Sequence, residues 1–195
     1  MSNIIKTFMV FVLLLTTVIV VSAKPNNDRE FILKFGFQPL GTLSEKIQGT
    51  NTSKNTKLGL SAGLEYFQYL NNVFALGLGA MYDFPRDIDN DKRSASFMPL
   101  FAALKLRTPL RGLDNTFMFC SGRIGGSIPI LSNLSDGATQ KIGLYYGAGV
   151  GFSINYLVVE AIYAINNFSI SQSNNSGTID ADCQIITLYA GCKFE

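Results

Sequence analysis

Past residue 23 the chain alternates hydrophobic with small or polar side chains at a period of two. Across residues 56–67, Leu58, Leu60, Ala62, Leu64 and Tyr66 fall on one side and Lys57, Gly59, Ser61, Gly63 and Glu65 on the other. Residues 73–84 set Phe74, Leu76, Leu78, Ala80, Tyr82 and Phe84 against Ala75, Gly77, Gly79, Met81 and Asp83. Residues 141–154 set Leu144, Tyr146, Ala148, Val150, Phe152 and Ile154 against Gly143, Tyr145, Gly147, Gly149, Gly151 and Ser153. Successive side chains of a strand point to opposite faces, so each segment is expected to be a strand with one apolar and one small or polar face. No 3.6-residue stripe follows Ala23. Eight such segments stand out, at about residues 30–40, 56–70, 73–85, 95–108, 115–127, 141–154, 157–168 and 182–194. Their length, often ten residues or more, exceeds the usual globular strand of about 5–6 and suits tilted strands crossing a bilayer.

The connections alternate as well. Asn71-Asn72, residues 111–115 and Asn155-Tyr156 make short turns. Residues 41–55, 86–94, 128–140 and 169–181 are longer and rich in Ser, Thr, Asn, Asp and Gly, and are expected to be loops. Short turns at one end and long loops at the other is the pattern of an outer-membrane barrel, with both chain termini at the short-turn, periplasmic end.

Which face points inward decides between a membrane barrel and a soluble one. Glycine is poor in ordinary strands, so its repetition on one face calls for a crowded interior, as eight strands enclose. Turned inward, that face also gathers Lys34, Glu65, Asp83, Lys105, Arg107, Arg123, Glu160 and Lys193. Counting from the turns places Lys34, Glu65, Lys105, Glu160 and Lys193 near one depth and Arg123 somewhat higher. These residues are expected to form a lumen ion-pair network in which Glu65 and Glu160 are each bracketed by cations. A solvent-exposed sheet face would give the same alternation with the opposite facing.

The first 23 residues differ. Lys6 precedes a nearly unbroken apolar run from Thr7 to Val21, and Val21-Ser22-Ala23 offers a cleavage site between Ala23 and Lys24. The run is short of the roughly 20 residues a spanning helix needs. It is therefore expected to be a cleavable signal helix for Sec export, with residues 24–195 forming one β-barrel domain. The chain of 195 residues carries 16 basic and 14 acidic side chains, which leaves no basic footprint for nucleic acid. It contains no His, which excludes Ser-His-Asp, Cys-His and His-zinc chemistry. Three cysteines, Cys120, Cys183 and Cys192, make no disulfide framework. The simplest expectation is buried or lipid-facing thiols, with a Cys120–Cys183 or intermolecular bond as the alternative.

Four stretches carry a resemblance. Phe97-Met98-Pro99-Leu100-Phe101 runs into Leu104-Lys105-Leu106, residues 144–152 form a glycine-rich strand, Glu160-Ala161-Ile162-Tyr163 follows, and Tyr189, Gly191 and Phe194 mark the last strand. These resemble the fourth, sixth, seventh and terminal strands of the small eight-stranded outer-membrane β-barrels, the porin-family barrel domain similar in form to the transmembrane domain of outer-membrane protein A. The resemblance spans roughly residues 24–195. It implies an all-β, antiparallel up-and-down transmembrane barrel in a bacterial outer membrane. It also implies outer-membrane lipid and the assembly machinery as partners, the latter reading Tyr189, Gly191 and Phe194. Many members end on the aromatic residue, whereas this chain adds Glu195. With no Trp in the chain, an aromatic girdle would fall to Tyr66, Tyr82, Phe84, Tyr163 and Phe194.

Other chemistry is weaker. Asp87, Asp89 and Asp91 have the spacing that opens a calcium loop, but Lys92 stands where Gly is wanted and Met98 where a bidentate Glu is wanted. Residues 147–151 are glycine-rich within a strand and not at a turn into a helix, so they are no phosphate cradle. No cofactor is expected. The familiar outer-membrane enzymes depend on a catalytic His, so a non-enzymatic barrel is expected, with a structural or surface-interaction role, adhesion or envelope integrity, through four long loops. A narrow channel lined by Lys105, Arg123 and Glu160, and a secreted lipocalin-like barrel binding a small apolar ligand, remain the alternatives.

Overall fold

In a computed structural model, residues 29–47, 50–89, 93–113, 115–132, 139–171 and 178–194 are described. The expected signal segment, with Ala23 and Lys24, lies outside them, as do Asp91 and Glu195. The alternating segments form β1 (Arg29–Ile47), β2 (Thr50–Asn55), β3 (Gly59–Tyr69), β4 (Phe74–Asp87), β5 (Ser94–Pro109), β6 (Thr116–Leu131), β7 (Thr139–Lys141), β8 (Gly143–Ile154), β9 (Leu157–Ser171) and β10 (Thr178–Phe194). Eight of them pair antiparallel in the order β1-β3-β4-β5-β6-β8-β9-β10, and β10 pairs back to β1, which closes the barrel. The short β2 pairs with β1 and the short β7 with β9, each prolonging the wall beyond β3 and β8.

Closure fixes the tilt. Following register partners from Phe31 through Tyr66, Leu78, Ala102, Ile124, Tyr146, Ile165 and Gln184 returns to β1 at Thr42, eleven residues on. One of those residues belongs to the bulge between Phe37 and Leu40, so the stagger is ten. Eight strands with that stagger tilt by about 40° to the axis.

The facing follows the expectation for a membrane barrel. Leu60, Leu78, Ile124, Leu144, Val150 and Leu188 point outward and are half or more exposed. Lys34, Glu65, Asp83, Lys105, Arg123, Glu160 and Lys193 point inward and are buried. The inward glycines make room for rings on the adjoining strand. Gly36 faces Tyr189, Gly77 faces Phe67, Gly79 faces Phe101 and Gly151 faces Phe119, each as register partners. A methyl group at Gly79 would lie 2.5 Å from the Phe101 ring. The interior is thus filled by aromatic side chains lying across glycines, a cross-strand pairing that also pins register.

The short turns match the sequence reading. Asn71 Oδ1 accepts from the backbone N–H of Val73 and Phe74. Asn115 and Asn155 take φ of 50°, a left-handed conformation that Asn tolerates better than most residues. The long connections do not match. β1 runs to Ile47 and returns as β2, β6 reaches Leu131, β9 reaches Ser171 and β10 starts at Thr178, so much of what read as loop is strand. Leu43, Ile170 and Ala181 remain inward and buried there, while their outward neighbours turn polar. The composition changes where the outward face leaves apolar surroundings, not where the ladder ends. At about 3.3 Å per residue and this tilt, the 19 residues of β1 rise well beyond the roughly 25 Å of an apolar membrane band.

Candidate functional site: a layered, closed lumen

β1 turns every second residue inward, and Glu30, Lys34, Gln38, Leu43 and Glu45 mark successive layers up the axis. In the lowest, the Glu30 carboxylate lies 2.5 Å from Lys105 Nζ and 3.8 Å from Lys193 Nζ, and accepts a 3.0 Å hydrogen bond from the Tyr69 hydroxyl. Lys105 sits 4.5 Å from the Phe119 ring centre, and the Arg107 guanidinium lies 3.6 Å from that of Tyr69, both attractive cation–ring placements.

The next layer holds two acids and two bases. Lys34 Nζ is 2.5 Å from a carboxylate oxygen of both Glu65 and Glu160. Arg123 bridges the same two carboxylates: Nε donates to Glu65 at 2.8 Å, and Nη2 donates to the two Glu160 oxygens at 2.8 and 2.9 Å. Ser121 Oγ accepts from Arg123 Nη1 at 2.8 Å and donates to Glu160 at 2.5 Å. All four charged side chains are essentially inaccessible to solvent. Gly149 keeps the space open, since a Cβ there would stand 2.8 Å from Glu160 Oε1 and 2.9 Å from Ser121 Oγ. The cluster is neutral overall and densely hydrogen-bonded, the condition under which buried charges are tolerated.

Above it, Tyr189 Oη pairs with Ser61 Oγ at 2.7 Å, and the Phe101 and Tyr145 rings meet at 5.3 Å. Gln38 then donates to Asp83 at 2.6 Å, and Arg86 donates to Gln38 at 3.1 Å and to the Cys183 sulfur at 3.5 Å. An apolar layer of Leu43, Ile88, Phe97, Leu131, Phe168 and Ile185 follows, its two rings 5.5 Å apart. Arg93 caps the column with a two-pronged bond to Glu45 at 2.6 and 3.0 Å.

The depth order differs from the count along the sequence. Arg123 sits with Lys34, Glu65 and Glu160, whereas Lys105 and Lys193 lie a layer lower on Glu30. Counting from turns ignores the stagger of ten, which displaces depth from strand to strand. Glu30, absent from the expected network, shares the parity of Lys34 and is buried with it. Arg86 falls within the expected loop 86–94, but a bulge between Asp83 and Arg86 resets the alternation and the side chain is buried in the lumen.

The remaining candidates are dispersed. Asp87 lies in the β4 ladder, exposed, 3.4 Å from Lys57, while the Asp89 backbone N–H donates to Asn55. No group of three acidic or Cys side chains able to hold a metal occurs among the described residues. Tyr189 and Gly191 point inward and Phe194 outward, 6.4 Å from the Phe31 ring, so the three do not share a face. Tyr66, Tyr82, Phe84 and Tyr163 join Phe194 on the outer face. Cys120 and Cys192 are exposed outside the wall and Cys183 is buried inside it, which separates Cys120 from Cys183. Replacing Glu30 by Gln strips the counter-charge from Lys105 and Lys193 and is expected to lower the unfolding free energy by about 2 kcal/mol. A urea titration followed by gel mobility of the unboiled protein measures it.

Comparison with solved structures gives the same architecture. Neisserial surface protein A matches with a TM-score of 0.52 and 9% identity over 85% of this chain and 97% of its own. The outer membrane protein OprG from Pseudomonas aeruginosa has a TM-score of 0.49 and 14% identity over 85% and 96%. Ail, the attachment invasion locus protein of Yersinia pestis, has a TM-score of 0.47 and 16% identity over 86% and 99%. No family model and no curated protein sequence matches the chain. The fold is that of the small eight-stranded outer-membrane β-barrels.

Proposed function

We propose that this chain is an integral outer-membrane barrel that acts through its surface, in adhesion or envelope integrity, and neither conducts nor catalyses. The carrying observation is the combination of an apolar outer wall with an interior filled layer upon layer. A lipocalin-like carrier would need an apolar cavity and a polar exterior, and here Lys34, Glu65, Lys105, Arg123 and Glu160 lie inside a wall whose exposed face is apolar. A channel along Lys105, Arg123 and Glu160 would have to part the four-charge cluster and also the apolar layer of Phe97 and Phe168 above it. For catalysis, the buried carboxylates Glu30, Glu65 and Glu160 are each committed to cations, and the sequence supplies no imidazole. Tyr189, Gly191 and Phe194 are proposed as the strand end read by the assembly machinery, and the signal segment as the export address. The polar rim above the apolar wall is what an outside ligand would meet. Planar-bilayer recordings of the refolded barrel test the closed lumen. Quiet membranes with folded protein inserted are expected, and stable single-channel steps would overturn the reading in favour of the channel.

A further inference from the structure

One polar layer of the lumen has more donors than its acceptors satisfy. It lies between the Tyr189, Phe101 and Tyr145 side chains below and the apolar layer of Leu43, Ile88 and Phe97 above. Arg86 is its cation and Asp83 its acid, and both are buried. Arg86 meets the acid through an amide: Nη1 donates to Gln38 Oε1, and Gln38 Nε2 donates to Asp83. Arg86 Nη2 donates to the Cys183 sulfur at 3.5 Å, a weak acceptor. Arg86 Nε is buried with no partner. Arg123, by contrast, makes three bonds of 2.8–2.9 Å to two carboxylates.

Two more unpartnered groups stand beside it. Asn166 is the register partner of Cys183 and, like Cys183, is 0% exposed. Its Oδ1 accepts from Ser127 at 2.7 Å, and its Nδ2 has no partner. Thr56 Oγ1 is buried without a partner as well. It packs against Gly41, where a Cβ would stand 2.3 Å from that oxygen and 3.1 Å from Arg86 Nη1. A Cβ at Gly59 would stand 3.3 Å from Arg86 Cδ. On two strands, therefore, the wall beside the arginine is bare backbone. The unpartnered groups share a chemistry. Arg86 Nε–H and the Asn166 amide N–H are donors only, and the Thr56 hydroxyl can donate. Buried donors without acceptors are costly, and native interiors hold few of them. A water molecule would bring two hydrogens that need acceptors, and Gln38 Oε1, Asp83 Oδ1 and Asn166 Oδ1 are already engaged. An anion only accepts.

We infer that this layer binds one small anion of halide size, held by Arg86 Nε, Asn166 Nδ2 and Thr56 Oγ1. Nη1 of the guanidinium serves Gln38, and Nε is left to the ion. The aromatic floor and apolar roof keep bulk water out, which strengthens the attraction between ion and guanidinium. The ion is enclosed as the barrel closes and joins β4 to β9, which stand on opposite sides of the barrel.

The test refolds the full mature chain into vesicles at one ionic strength in sodium bromide, chloride or sulfate, and reads the urea midpoint of the heat-shifted gel band. A general salt effect favours sulfate, which is excluded from protein surfaces and strengthens burial. A bound halide reverses that order. The midpoint is expected to be higher in bromide and chloride than in sulfate, and to climb as halide replaces sulfate at fixed ionic strength. Crystals grown in bromide are expected to show an anomalous peak within hydrogen-bond distance of Arg86 Nε and Asn166 Nδ2. Asn166→Asp sets a carboxylate where the ion would sit, and is expected to lose at least half of the halide increment. A midpoint highest in sulfate, an undiminished increment in the variant, or bromide peaks on the outer surface alone, an adventitious ion only, would overturn the assignment. The salt series and the crystals use the unaltered chain and so stand whether or not the variant folds. Insertion is scored in the same gels, so loss of the halide effect leaves the membrane reading in place.

Discussion

Replacing Arg123 by alanine is expected to cost the barrel about 3–5 kcal/mol, the range for breaking a buried ion pair by removing one partner. The guanidinium serves Glu65 and Glu160 at once through three hydrogen bonds of 2.8–2.9 Å. Without it, two buried carboxylates share the single ammonium of Lys34, and Ser121 loses the donor that fixes its hydroxyl. The loss comes from stranded charge more than from the missing contacts. A second substitution should therefore repair it in part. Arg123→Leu combined with Glu160→Gln leaves a balanced Lys34–Glu65 pair and is expected to recover at least half of the lost unfolding free energy. Urea titrations in vesicles measure both variants. If Arg123→Ala unfolds at the parental urea concentration, the cluster contributes nothing to the barrel. If the double variant loses the full sum of the Arg123→Leu and Glu160→Gln losses measured singly, the charges do not act as a unit.

Replacing Ile124 by lysine is expected to cost about 2–4 kcal/mol in a bilayer, the cost of a lysine near the midplane of a membrane barrel wall. Ile124 is 67% exposed and sits midway along the outward series of β6. A long, exposed side chain on a soluble protein would accept lysine within about 0.5 kcal/mol. The sign and size of this one effect thus separate lipid from water outside the wall. The same substitution at Ile154, beside the Asn155 turn, is expected to cost far less, because lysine there reaches the interface. Parallel vesicle titrations of the two variants provide the comparison, and equal costs would argue against a depth-dependent lipid environment.

Much of this architecture was legible in the alternation itself. Leu144 through Ile154 and Phe74 through Phe84 could be assigned to faces from parity alone, and the structure places those faces as the glycine argument required. The reason for the glycines was less legible. Gly79 and Gly77 read as lumen-fitting small residues, whereas each lies beneath the ring of its register partner, and register is a long-range property absent from local sequence. The strands run beyond the expected segments because Ser44, Ser169 and Asp180 have the composition of loop residues. They are strand residues above the apolar band, where an outward side chain need not be greasy. The charge cluster was readable as a set of inward parities but not as two layers. Stagger moves Arg123 onto Glu65 and Glu160 and leaves Lys105 and Lys193 to Glu30. Parity also failed wherever the ladder slips, which hid Arg86 just past the β4 bulge.

The exposed apolar face meets lipid, and the charged face does not meet water. The chain has no Trp, so a single introduced indole reports without background. With Ile124→Trp and, separately, Phe101→Trp in the refolded barrel, quenching by lipids brominated near the acyl-chain ends is the most direct measurement. Strong quenching at position 124, weak quenching at position 101 and little effect of aqueous acrylamide on either are the expected result. Efficient acrylamide quenching at position 124 with no response to brominated lipid would contradict it.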